Sequence, residues 1–206
     1  MNARHYYNYY LEQNKKEASF FMFWQNYLGL QIEFDWDKVL YFKLRQIKDN
    51  KIREFNFKLM HKIIPSQSNL FKWSLKNDDK CNLCLHKGTI MHMLIKCENV
   101  KPLWKMVEDI IFSVFKIQIC VNENIVIIGW DIQEPTYWLI NIILNFAQYT
   151  IYTNYIETSM KKGYYFVNVN RLWMNLKMKL RYYLSSKYVT KNKNTKEIEK
   201  LLEFIN

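Results

Sequence analysis

Along residues 51–65 apolar side chains return every three or four positions, at Ile52, Phe55, Leu59 and Ile63 with Phe57 and Met60 beside them, until Pro65 interrupts the run. That period belongs to an α-helix buried along one side. It predicts a helix from Lys51 to the proline, whose missing amide hydrogen stops it. Lys48, Asp49 and Asn50 break the chain just before. Upstream, Asp35 and Asp37 flank Trp36 ahead of Val39, Leu40, Phe42, Leu44 and Ile47, which reads as the capped start of a short helix. Ser66 or Ser68 caps another short helix through Trp73. Pro102, tolerated in a first helical turn, opens a stripe of Leu103, Val107, Ile110, Ile111, Val114 and Phe115. Pro135 precedes the longest apolar pattern, residues 137–156, expected to form a central, buried helix.

Other stretches are less regular. The β-branched run Ile125, Val126, Ile127 and Ile128, ended by Gly129, predicts a short strand or an extended turn. Residues 1–30 mix Tyr, Phe and Trp with Glu12, Lys15, Lys16 and Glu17, compatible with a helix that packs an aromatic face. Residues 171–188 set Arg171, Lys177, Lys179, Arg181 and Lys187 among Leu172, Trp173, Leu176, Leu180, Tyr182 and Tyr183, an amphipathic pattern in which Trp173 and Tyr183 belong to the core. Residues 191–196 read as a flexible basic linker. Only four glycines and three prolines punctuate the chain, against fifteen tyrosines, thirteen phenylalanines and seven tryptophans. The expected fold is therefore mostly α.

Composition sharpens this picture in two ways. A net charge of +11 argues for a polyanionic partner, of which nucleic acid is the commonest. From Lys161 onward eleven Lys and Arg face three Glu, so that stretch carries +8 of the total. No secretion is expected, because the first residues show neither an uninterrupted apolar run nor a small-residue cleavage site. Residues 138–151 carry Asn141, Asn145 and Gln148 and fall short of the ~20 apolar residues of a membrane span. The expected setting is intracellular, nucleus or cytoplasm, with no membrane partner and no small-molecule substrate.

The candidate chemistry sits in residues 81–97, where Cys81, Cys84, His92 and Cys97 follow the pattern C-x2-C-x7-H-x4-C. Two closely spaced ligand pairs suit a tetrahedral zinc ion, and crowded cysteines beside a histidine point to a metal in a reducing compartment rather than to a disulfide framework. Gly88 is expected to let the intervening loop reverse. His86 is a rival to His92, disfavoured because two residues after Cys84 it strains the chelate. Four protein ligands leave no position for a catalytic water, so the zinc is expected to be structural, stapling a knuckle between helices.

These residues, in order, resemble the zinc-binding region downstream of the reverse transcriptase in non-LTR, LINE-type retrotransposon polyproteins. The likeness rests on the stretch 51–65 with His61 and Pro65, then Leu70 and Trp73, then the four ligands, then Trp104. It is strong over residues 36–130, and the rest resembles the family's extreme C-terminal segment. The resemblance implies a zinc-binding domain over residues 51–130, between an aromatic-rich helical segment, 1–50, and a basic helical segment, 131–206. It implies a part in holding RNA template or target DNA, beside a reverse transcriptase domain. No Tyr-x-Asp-Asp polymerase signature is present, and Asp131 and Glu134 do not reproduce the acidic pattern of the restriction-like endonuclease. Residues 135–196 hold a single carboxylate, Glu157, too few for ribonuclease H. The chain is thus expected to be a non-catalytic, C-terminal piece of such a polyprotein.

Candidate phosphate contacts are Arg53, Lys58 and Lys62 on the first predicted helix, and Arg171, Lys177, Lys179 and Arg181 near the C-terminus. The plain alternative is that these are solvated faces of amphipathic helices. His61 is expected to cap or pack rather than to ligate. Two other functions stay open: a scaffold fragment docking on a reverse transcriptase domain, and a non-functional retrotransposon relic.

Overall fold

A computed structural model describes residues 19–31, 34–130, 135–159, 168–186 and 195–205. Residues 1–36 and 37–206 form two compact units, each described by itself. Most of residues 1–30 and 191–196, with Asp131, Glu134, Lys187 and Tyr188, lie outside the described residues. The first unit contains α1, Ser19–Leu28, which buries Phe20 and Trp24. Within it the rings of Phe21 and Trp36 stack at 5.3 Å.

Among the described residues of the second unit every regular element is helical. The helix α2, Trp36–Leu40, starts at the junction and runs into a π turn, Tyr41–Arg45. Then come α3, Asn50–Met60; α4, Gln67–Lys72; a second π turn, His92–Lys96; α5, Lys101–Phe115; α6, Glu123–Ile128; α7, Pro135–Ser159; α8, Val169–Leu184; and α9, Thr195–Ile205. The caps are legible. Asp49 Oδ1 accepts from the amides of Lys51 and Ile52 at 2.8 and 3.2 Å, and Ser66, not Ser68, caps α4 through the Asn69 amide. Asn122 and Asn168 do the same for α6 and α8.

The core is built round α7. Ten consecutive residues, 139–148, are buried, which only a helix enclosed on all sides can achieve. The helices α3, α5, α6 and α8 and the second π turn pack against it, and α9 closes onto α5 and α8. Phe55 of α3 meets the rings of Tyr149 and Tyr152 at 5.8 and 5.1 Å. The side-chain oxygens of the three buried amides on α7, Asn141, Asn145 and Gln148, each accept a hydrogen bond. Asn141 both accepts from the Trp130 amide, at 2.8 Å, and donates to the Trp130 carbonyl, at 2.9 Å. Asn145 and Gln148 accept from the ammonium of Lys43, at 3.3 and 3.2 Å. No described helix is long and apolar enough to cross a membrane.

Three expectations change. The helix begun near Lys51 ends at Met60, not at Pro65. Lys62 takes the left-handed conformation (φ 59°), and Ile63 and Lys62 donate back to the carbonyls of Lys58 and Leu59, the Schellman arrangement. With so few glycines in the chain, left-handed positions among the described residues fall to Lys62, Ser74, Leu85 and Lys116 as well as to Gly29. Residues 125–128 are helical, in α6, because no strand among the described residues stands ready to pair with them and a helix capped by Asn122 still buries all four side chains. Thr195 and Lys196, read as linker, begin α9, whose Ile198, Leu201 and Ile205 are buried.

Lys43 went unnoticed in the sequence. It is 1% exposed and donates to the Val126 carbonyl at 2.9 Å besides the two amides of α7, with no carboxylate at hand. Burial lowers its pKa to about 7. Between pH 7 and the ordinary lysine value the unfolded chain holds a proton that the folded chain lacks, so stability rises with pH across that window, and the penalty is complete below it. Urea midpoints of the wild type measured from pH 7 to 10 should therefore gain on those of Lys43→Met; parallel midpoints would show that Lys43 is ordinarily solvated.

Candidate metal centre

The first two ligands come from a tight turn. The amide of Leu85 donates to the Cys81 carbonyl at 2.9 Å, that of Cys81 to the His86 carbonyl at 2.7 Å, and Lys80 and Lys87 pair as an antiparallel bridge at its base. Leu85 makes the reversal in the left-handed conformation, φ 65°. The other two ligands are set by the second π turn. His92 opens it, its amide held by Thr89 Oγ1 at 3.1 Å, and the Cys97 amide closes it on the His92 carbonyl at 2.9 Å. Residues five apart on an α-helix point about 140° away from each other, at 100° per residue. The wider π turn reduces that angle and brings an H-x4-C pair to one side. Trp104, buried on α5, donates its indole N–H to the Leu94 carbonyl at 2.8 Å and so holds the turn.

The four candidate atoms converge, all within 4.8 Å of one another. Cys84 Sγ stands 3.1 Å from His92 Nε2 and 3.7 Å from Cys97 Sγ. A tetrahedral ion with metal–sulfur bonds near 2.3 Å separates its sulfurs by about 3.8 Å. His92 enters this group, whereas the exposed His86 ring lies 6.1 Å from that of His92. Cys81, His92 and Cys97 are buried and Cys84 is half-buried, while Cys120 is exposed and apart. A hydrogen bond from Cys81 drives the Cys97 thiol far below the usual range, with His92 adding to it. The same bond and burial push Cys81 up, and burial raises Cys84. Negative charge is thus gathered on one sulfur of three, and a dication would displace the protons from the others.

The profile of the family described as zinc-binding in reverse transcriptase matches residues 2–104. The chain belongs to this family. No curated protein and no solved structure matches the chain. The zinc-binding reverse transcriptase family is a zinc-binding region and not a catalytic domain. Its match reaches further toward the N-terminus than the resemblance over residues 36–130 and stops at Trp104, so α6 to α9 lie beyond it.

Gly88 serves a purpose other than turning. Its backbone is not left-handed; instead a Cβ there would stand 2.7 Å from Gln67 Cβ, 3.1 Å from the Tyr155 hydroxyl and 3.2 Å from the Asp79 carbonyl. Glycine lets the ligand loop lie directly on α4 and α7, and the Ser68 amide donates to the Gly88 carbonyl at 3.0 Å. Asn99 was also missed: its Nδ2 reaches the Leu83 carbonyl at 3.2 Å and ties the two ligand pairs together. Neither residue has a sequence signal, since both act across gaps in the chain.

The basic candidates differ in their surroundings. Arg53 is exposed on α3, Lys58 pairs with Glu54 at 2.5 Å, and Lys62 lies past the helix end. On α8, Arg171 and Lys179 border a cleft with α3 and α7, a cleft that Lys177 and Arg181 do not line. His61 occupies the C-cap of α3 with its ring 4.2 Å from that of Phe57. Tyr183 is buried and its hydroxyl accepts from the Lys48 amide, while Trp173 is half-buried.

His92→Ala should abolish stoichiometric binding of a divalent metal, and His86→Ala should retain it, as read by metal content after gel filtration. Gly88→Ala should cost about 1–3 kcal/mol in chemical denaturation and weaken metal binding; an unchanged midpoint would mean that the loop does not pack as closely as described.

Proposed function

We propose that this chain is a structural-zinc module that binds nucleic acid through its phosphates and helps hold RNA template or target DNA beside a reverse transcriptase domain. The donor set of three sulfurs and one imidazole, closed and largely buried, suits zinc in a folding role and leaves no ligand position for catalysis. The observation that carries the binding half is the set of exposed guanidiniums at Arg53, Arg171 and Arg181, each without a carboxylate partner among the described residues of a chain with net charge +11. Unpaired arginines of this kind are ready to donate to phosphate oxygens. Lys179 stands beside Arg171 at the cleft and Lys177 lies on the other flank of α8; Lys58 and Lys62 contribute less, one already paired and the other at a helix end.

A second reading has an observation of its own. Met174, Met178 and Tyr182, at four-residue steps on α8, are 53, 65 and 83% exposed, an apolar stripe suited to docking on a reverse transcriptase domain. Salt separates the two, because phosphate contacts release counterions and an apolar interface does not. The purified chain should contain one zinc and bind RNA or DNA with an affinity that falls steeply with salt, and Cys84→Ser should weaken both. Zinc with no nucleic-acid binding at low salt would leave the docking reading.

A further inference from the structure

We propose that the cleft between the start of α3, α7 and α8 is the seat of one nucleotide of a single strand, its phosphodiester held by Lys51, Arg171 and Lys179 and its base stacked on Tyr182. The inference rests on the nucleic-acid reading above and narrows it to one site. The cleft has a volume of about 590 Å³, within the range of small-ligand pockets. Three cations line it, and none has a carboxylate within ion-pairing distance among the described residues. Lys179 is fixed in place by hydroxyls, with its Nζ 3.2 Å from Thr153 Oγ1 and 3.5 Å from Thr150 Oγ1, and it lies 4.8 Å above the Tyr149 ring. Partial burial lowers its pKa, against the opposing pull of the more distant Glu157 and Asp49 carboxylates.

The charge balance decides the ligand class. Asp49 and Glu157 also line the cleft, leaving a net charge of one against the three cations. That matches a phosphodiester and is too little for a triphosphate. Asp49 is further occupied as the cap of α3. Tyr182 supplies what phosphate binding alone does not need: a phenol ring at the mouth, 83% exposed. Stacking of this kind is open to an unpaired base and closed to a duplex, whose bases already stack on one another. The cleft therefore selects single strands.

The test is fluorescence anisotropy with the zinc-loaded full chain, a short labelled oligouridylate and a duplex of equal length, across a salt titration. Arg171→Ala and Lys51→Ala should each weaken single-strand binding and reduce the slope of log affinity against log salt by about 0.7. Tyr182→Ala should weaken single-strand binding about tenfold with the slope unchanged, and leave duplex binding as it was. Lys105→Ala, which removes an exposed cation paired with Asp109 at 3.3 Å on α5, should change neither. All four side chains are exposed, and thermal melting checks that each variant folds. Salt-sensitive wild-type binding that the cleft variants do not alter would overturn this site and keep the broader reading. No binding by the wild type to either probe would overturn both.

Discussion

The enclosure of α7 is the constraint on which the second unit depends. A helix of 25 residues is about 37 Å long, and over ten consecutive positions this one meets no solvent. Every neighbouring element is positioned by what α7 requires on that side. Unpaired polar groups are costly in such an interior, and the chain brings to Asn141 the Trp130 backbone and to the side-chain oxygens of Asn145 and Gln148 the Nζ of Lys43. The first π turn is where Lys43 departs from the helix, and Asn56 of α3 secures it by donating to the Lys43 carbonyl at 2.8 Å. A buried cation and a buried helix thus satisfy each other.

The same helix links the metal centre to the proposed nucleotide site without joining them. Tyr155 faces Gly88 of the ligand loop, while Thr153, two residues earlier, lines the cleft. Two positions on a helix are separated by about 200°, so the two sites occupy nearly opposite sides of α7. A metal ion at the cluster does not touch a ligand in the cleft. Such an ion would hold the loop of residues 81–97 together with the second π turn, which packs against α7 and buries Met93 and Leu94. The closeness of fit at Gly88 makes that contact specific, since no other residue fits there without displacing backbone.

Family membership and geometry agree on the part of the chain they share. The match ends at Trp104, the residue whose indole secures the turn carrying His92 and Cys97. Beyond it α7 supplies the central buried helix, α8 packs along it, and α9 completes the packing against α5 and α8. The zinc-binding region therefore does not stand alone in this chain. It is completed by a C-terminal helical layer outside the family's span.

The sequence by itself determined most of the helices and the candidate ligand cluster. Helical periodicity at Ile52, Phe55 and Leu59, the proline near the start of α5, the apolar length of α7 and the spacing of Cys81, Cys84, His92 and Cys97 are local patterns, and local patterns are written in the order of residues. Where α3 stops, whether residues 125–128 become strand or helix, that α9 forms, that Lys43 is buried and that Gly88 is needed for space were decided by tertiary structure alone. Each depends on a partner far along the chain: Lys43 on Asn145 and Gln148, α6 on α7, Gly88 on Gln67 and Tyr155, α9 on α5 and α8. Burial and hydrogen bonding between residues so widely separated are properties of the packed molecule, and no window of sequence contains both halves of such a contact.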